Sequence, residues 1–352
     1  IIIYQDDDFY AAFPSAVRTA QGDILLAFRR APNRKIFAES STSHVDPNSY
    51  LVTLRSQNGV DWSQEPELLH AHPLGGSQDP CLITLSDGTI LCTSYGWAFV
   101  RPEGLDARKA LTLQVGKGAV FLGGYVLQSN DHGKSWSSPR FPPALDIEVY
   151  SSATGQPLPA YNRGALFEKD GNLFWIVAAH HQKDATSNHL IVSQDQGMTW
   201  TYRAEVARKA SASFNEASIY QTPKGDLVGF LRTANLDDEA YIARSRDGGK
   251  TFTYEGMGFQ GHPLNALPLP DGRVVLTYGY RHPPYGIRAR VLDPECSDYK
   301  TSQEFILRDD GGNGDLGYPW PVLLDSNRVL VVYYFNVDDG IRHIAGTLIE
   351  ID

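Results

Sequence analysis

Cysteine is scarce, with three residues in a chain of 352, and their spacing suits neither a zinc site nor a disulfide framework. Cys81 and Cys92 flank the turn of an expected hairpin, where two ordinary buried thiols are the simplest reading. Long apolar runs are also missing. Nothing approaches the roughly eighteen apolar residues that a membrane-spanning helix needs, so membrane insertion is not expected. Basic residues are outnumbered, with 31 Lys and Arg against 41 Asp and Glu and a formal charge of -10. A general nucleic-acid binder needs the opposite balance to displace counterions from phosphates, so nucleic acid is not an expected partner. The opening IIIYQDDD has no basic stretch followed by a longer apolar core and a cleavage site, and no signal peptide is read there. Because the chain lacks an initiator Met, removal of an upstream signal would make the protein secreted or periplasmic.

What is present is aromatic and repetitive: 18 Tyr, 15 Phe and 6 Trp, distributed around recurring turns. SNDHGKSW at Ser129 to Trp136 and SQDQGMTW at Ser193 to Trp200 are close copies. SRDGGKTF at Ser245 to Phe252 and a shortened SQNGVDW at Ser56 to Trp62 are degraded ones. In each, the acidic or amide side chain accepts backbone N–H groups in a tight turn, glycine supplies positive φ, and the terminal aromatic anchors the turn to a neighbouring sheet. A second signal, a polar turn followed by an apolar strand, begins near Gly22, Gly88, Gly171, Gly225, Gly272 and Asn327. Helical periodicity is nearly absent, and six hairpins each feeding a short buried strand predict an all-β fold, a six-bladed β-propeller. Residues 1–352 are expected to form one propeller domain, with an inserted loop around 97–120.

Propellers bring equivalent inner-strand positions to one channel mouth. About nine residues before each turn stand Pro14, Asp79, Arg163, Glu216, His262 and Tyr318, a polar diversity that a purely structural repeat does not require. The strands after the turns end at Arg29 and Arg30, at Arg232 and at Arg281. A buried guanidinium without a partner costs several kcal/mol, and its planar fork suits a carboxylate. Three arginines at one end of equivalent strands therefore point to an anionic ligand. His70, His72, His180, His181 and His282 form no ligand spacing, and no metal or other cofactor is expected.

These features resemble the sialidases, or neuraminidases, whose six-bladed propeller carries repeats of the form S-x-D-x-G-x-T-W. The stretch NEASIYQTPKGDLVGFLRTANLDDEAYIARSRDGG resembles the family's order of Glu, strand, turn Gly, strand ending in Arg, then repeat. The resemblance implies that Glu216 activates a nucleophile, that Tyr318 in GYPWPVL is that nucleophile, and that Asp46 in HVDPNSY is the general acid/base. It implies an arginine triad of Arg29, Arg232 and Arg281, with Arg30 in FRRAP and Arg288 in YGIRARV as alternatives. Asp79, Arg163 and His262 complete the expected substrate-binding set, and His44 lies close enough to Asp46 to share or take over its role. The implied activity is an exo-acting, retaining glycoside hydrolase that removes a terminal carboxylate-bearing sugar, most simply a sialic acid, from a glycan. Such a sugar repels a carboxylate nucleophile, whereas a neutral Tyr deprotonated by Glu can approach. Two rivals stand beside this reading: a propeller glycosidase or lyase acting on a uronate-containing glycan, and a sugar-binding propeller without chemistry.

Overall fold

The computed structural model describes residues 1–39, 44–108, 111–115, 118–210, 212–338 and 340–351. Within these, the strands make six antiparallel sheets, each a blade. Blade 1 runs Phe9–Arg18, Ile24–Pro32, Tyr50–Ser56 and Glu67–His70. Blades 3, 4 and 5 repeat this up-and-down order from Phe167, Ser213 and Leu264. Blade 6 contains Gly317–Leu323, Arg328–Phe335 and His343–Glu350, and its fourth strand is Ile2–Tyr4 from the start of the chain, which closes the ring. Blade 2 is the irregular one. Its inner strand is split into Gly75–Ser77 and Cys81–Thr84, and the segment 97–120 adds a short helix, Pro102–Arg108, and the two-residue strand Gln114–Val115. No described helix is long and apolar enough to cross a membrane.

The period-two alternation of each strand presents one apolar face to each neighbouring blade, and one buried cluster lies at every junction. Val274, Leu276 and Tyr278 of blade 5 meet Val228, Phe230 and Ile242 of blade 4, while Val275 turns the other way to meet Val329 and Val331 of blade 6. Equivalent clusters join the other blades, with Phe13, Leu26 and Val52 set against Trp320 and Leu330 where the ring closes.

The octapeptides follow the third strands and, in blades 1, 3 and 4, lead into the fourth. In SQDQGMTW, Ser193 Oγ accepts the Gly197 amide at 2.8 Å and donates to Asp195 Oδ1 at 2.8 Å, and Asp195 also accepts the Thr199 amide and hydroxyl at 2.8 and 2.6 Å. The same bonds recur around Asp131 and Asp247. Trp200 then packs edge-on to Trp175 at 5.5 Å in the cluster between blades 2 and 3. The three cysteines are buried and unbridged.

Because the second strand begins after the glycine turn and the third ends at the octapeptide, both kinds of turn lie on the face opposite the strand ends carrying the arginines. Trp200→Ala should therefore lower unfolding free energy by about 3–5 kcal/mol in urea titration without altering function per folded molecule. Unchanged stability would contradict the anchoring role.

Candidate active site

The inner strands of blades 1, 4 and 6 break their pairing at the same level. In blade 1 the register jumps between Ala12 and Ser15, in blade 4 between Phe214 and Ala217, and in blade 6 between Gly317 and Trp320. Gln78 to Pro80 interrupt blade 2, and a His262–Pro263 bond, cis in conformation, precedes the inner strand of blade 5. Such bulges re-aim side chains out of the sheet. They free Glu216 and Tyr318 toward the axis, with Tyr318 at φ 55° and Phe13 at φ 57°, both in the left-handed region that aromatic residues seldom occupy. Pro14 had been expected at the inner position of blade 1. The side chain there is Phe13, whose ring lies 4.9 Å from that of Tyr318.

The structure brings Tyr318, Glu216 and Arg232 into one hydrogen-bonded group. The Tyr318 hydroxyl donates to Glu216 Oε1 in a short contact, Arg232 Nη1 donates to Glu216 Oε2 at 2.6 Å, and the same nitrogen reaches the Tyr318 oxygen at 3.2 Å. Burial, reinforced by the Glu216 charge, pushes the Tyr318 phenol well above its ordinary value. Burial works against the charge of Arg232, but Glu216 and Tyr318 outweigh it and keep the guanidinium firmly protonated. The resting group is thus a neutral phenol on an ion pair. Arg281 lies with its guanidinium carbon 5.2 Å from the Tyr318 ring centre and donates to Leu316 O and the Tyr334 hydroxyl, each at 2.9 Å.

Arg29 is different. Its side chain is wholly buried, and none of its three guanidinium nitrogens has a hydrogen-bond partner. It lies beside the rings of Tyr10 and Phe13. Burial lowers its pKa, opposed by the fields of Tyr10, Asp46, Asp79 and Asp315. Buried donors are nearly always satisfied, and an unsatisfied planar fork matches the geometry of a carboxylate; the Phe13 ring contacts both this guanidinium and the Tyr318 ring. Asp79 complements it: Oδ2 accepts from the Tyr95 hydroxyl at 2.8 Å, while Oδ1 is buried without a partner. Burial and the nearby Glu216 charge raise its pKa. Beside Glu216 opens a cavity of about 200 Å³ walled by Tyr95, Trp97, Phe121, Tyr161 and His180.

Other expectations are corrected. Arg30 does not join the group, because strand alternation turns it to the opposite face, where it pairs with Asp6 at 2.9 Å and covers the Phe9 ring. Arg288 is spent on its own blade, donating to Arg308 O at 2.6 Å and Pro284 O at 3.2 Å. Arg163 borders the cavity but serves as a brace: it donates to Pro80 O at 3.0 Å and Pro14 O at 2.7 Å and stacks on Trp320. Gly164 beside it lies so close to Ala217 O, 1.8 Å from where a Cβ would stand, that no side chain fits. His262 is buried, with Nδ1 3.6 Å from Asp238 Oδ1, beyond hydrogen-bond reach. Burial and then Arg232 and Arg281 depress its pKa, keeping it neutral. Asp46 is gripped by Arg34 through both oxygens, at 2.6 and 2.8 Å, and also accepts the Asn48 amide at 2.8 Å. Both oxygens of this buried carboxylate are thus occupied by donors.

Sequence reasoning missed Tyr95, Tyr334 and Asp315. Tyr95 and Tyr334 stand near the ends of their second strands, as the arginines do, and that shared position was the available signal. Asp315 accepts from Tyr10 at 3.0 Å, Tyr334 at 3.1 Å and Arg342 at 2.9 Å. Although burial opposes it, His44, Arg342 and Arg281 hold its pKa below the usual carboxylate range.

The BNR repeat-like domain model matches residues 109–329 of the chain. A protein from Dyadobacter fermentans, described as of unknown function, is 60% identical, with a TM-score of 0.98 over 100% of this chain and 98% of its own. A sialidase named Hadza microbial sialidase Hz136 is 17% identical, with a TM-score of 0.70 over 97% of this chain and 66% of its own. An alpha-L-arabinanase from Penicillium chrysogenum is 12% identical, with a TM-score of 0.68 over 99% of this chain and 96% of its own. No curated protein matches.

The two buried arginines should respond differently to substitution. Arg163→Met, which strands the Pro14 and Pro80 carbonyls, should lower the thermal midpoint by several degrees, equivalent to about 3–5 kcal/mol. Arg29→Met, which removes an unsatisfied charge, should leave the midpoint unchanged or higher while weakening anion binding. Calorimetric scans check both, and a large stability loss in Arg29→Met would show that its fork is already satisfied.

Proposed function

The chain belongs to the BNR repeat-like family, and we propose that its residues 1–352 act as one catalytic propeller, an exo-acting glycoside hydrolase that removes a terminal carboxylate-bearing sugar with retention of configuration. Sialic acid is the sugar this reading favours. The observation that carries it is the neutral Tyr318 hydroxyl donating to Glu216 with Arg232 reaching both, while the unsatisfied Arg29 fork lies against Phe13, whose ring contacts that of Tyr318.

The substrate carboxylate is taken by Arg29, with Arg232 and Arg281 on its other sides, so burying the anion satisfies donors that are otherwise left without partners. That carboxylate would repel an ionised Asp or Glu as nucleophile, whereas Tyr318 approaches uncharged. As its oxygen attacks the anomeric carbon, its proton passes along the existing bond to Glu216. Arg232, bonded to both oxygens, offsets the charge at each stage. The developing positive charge on the sugar is met by the Tyr318 oxygen and by Asp79, whose unpaired oxygen is also placed to accept a substrate hydroxyl. The aromatic cavity beside Glu216 gives an apolar sugar face or substituent somewhere to sit.

The wild type should release 4-methylumbelliferone from its α-sialoside in a fluorimetric assay, and Tyr318→Phe and Glu216→Gln should each lower kcat on the order of 10²- to 10⁴-fold. No wild-type release, or full activity in Tyr318→Phe, would overturn the proposal.

A further inference from the structure

Retaining hydrolysis needs a group on the solvent side of the sugar that protonates the departing oxygen and then deprotonates water. In an exo-acting enzyme the leaving group points out of the pocket, so this group must stand at the mouth and be free to exchange protons. Asp46 meets neither condition: its carboxylate is buried, and Arg34 and the Asn48 amide occupy both of its oxygens. Asp79 is also buried and bound to Tyr95. His44 meets both conditions. Its side chain is 47% exposed, and its ring packs edge-on to Phe13 at 5.2 Å, so that one aromatic ring separates it from Tyr318. Its Nδ1 lies 3.5 Å from Asp315 Oδ1. A carboxylate facing one ring nitrogen fixes the orientation of an imidazole and leaves Nε2 for chemistry. Asp315 is itself held by Tyr10, Tyr334 and Arg342, and the backbone carbonyl of His44 accepts from Gln78 Nε2 at 3.0 Å.

We propose that His44, oriented by Asp315, is the general acid and base of the hydrolysis, and that Asp46 is a structural carboxylate that ties Arg34 to the rim. The assignment rests on the glycosidase reading above. In the first step the imidazolium gives its Nε2 proton to the glycosidic oxygen as the bond from that oxygen to the anomeric carbon breaks. The Tyr318 oxygen forms the new bond to that carbon, and the phenol proton moves to Glu216. In the second step neutral His44 takes a proton from water, the hydroxide displaces Tyr318 from the anomeric carbon, and Glu216 returns the proton to the phenolate. The sum is one glycosidic bond exchanged for the elements of one water molecule, with every residue restored.

Leaving-group dependence separates this role from a structural one. A proton donor matters for a sugar alcohol, which leaves poorly as an anion, and little for an aryl alcohol, which does not need protonation. His44→Ala should lower kcat/KM for sialyllactose on the order of 10²- to 10³-fold and for the 4-methylumbelliferyl sialoside by less than about tenfold. Added imidazole should restore part of the loss. Because His44 is half-exposed, its variant should fold, as a thermal scan would verify. Asp46→Asn should lower both activities alike. Equal losses for the two substrates in His44→Ala, no loss for either, or a leaving-group-selective loss in Asp46→Asn would overturn the assignment of His44 alone. Turnover of neither substrate by the wild type would instead remove the glycosidase reading beneath it.

Discussion

The interruption of pairing in the inner strands of blades 1, 2, 4 and 6 is the constraint on which the rest depends. Regular inner strands would send alternate side chains into the two neighbouring blades and present only backbone edges to the axis. A bulge of two residues breaks that alternation and spares a side chain for the centre. The backbone of Phe13 and Tyr318 is forced to positive φ, a cost on the order of 1–3 kcal/mol each that the apolar junctions on either side must hold. Around the ring the inner positions carry Phe13, Asp79, Arg163, Glu216, His262 and Tyr318, and the second strands carry Arg29, Tyr95, His180, Arg232 and Tyr334, with Arg281 directly after the second strand of blade 5. These two rings of positions make up the centre.

Charge within those rings is unevenly satisfied, and the unevenness has meaning. Arg163, Arg281 and Arg232 are tied to carbonyls, a tyrosine or a glutamate, whereas Arg29 has no hydrogen-bond partner and only the rings of Tyr10 and Phe13 and the fields of Tyr10, Asp46, Asp79 and Asp315. Holding a guanidinium in this way costs stability and is worthwhile only if something anionic completes it. Tyr318 is likewise kept neutral, since burial and Glu216 both oppose its ionisation.

The blade count and the levels of the turns were legible because glycine turns and Ser–Asp–Gly octapeptides are local features whose hydrogen bonds close within a few residues. Glu216, Tyr318, Arg29, Arg232 and Arg281 were legible at second hand, as residues at a fixed distance from those turns. What failed depended on phase or on partners remote in sequence. FRRAP has two adjacent arginines, and only the register with the neighbouring strands decides that Arg29 faces inward and Arg30 pairs with Asp6. Pro14 was expected inward and Phe13 stands there instead, because a two-residue bulge shifts the inward residue by one. The grip of Arg34 on Asp46 joins a short 3-10 turn to a later loop, and no periodicity announces it. Tyr95, Tyr334 and Asp315 are residue types too common at strand ends and in loops to stand out.

The central claim is that Tyr318 becomes covalently bonded to the sugar during turnover. Its most direct test is to incubate the protein with a sialosyl fluoride that carries a second fluorine beside the anomeric carbon, which slows breakdown of the glycosyl-enzyme more than its formation, and to map the adduct by peptide mass spectrometry. The account predicts one added sugar on the peptide containing Tyr318 and loss of the adduct when excess sugar acceptor is supplied. An adduct on a carboxylate, or continued turnover with no adduct on any residue, would contradict it.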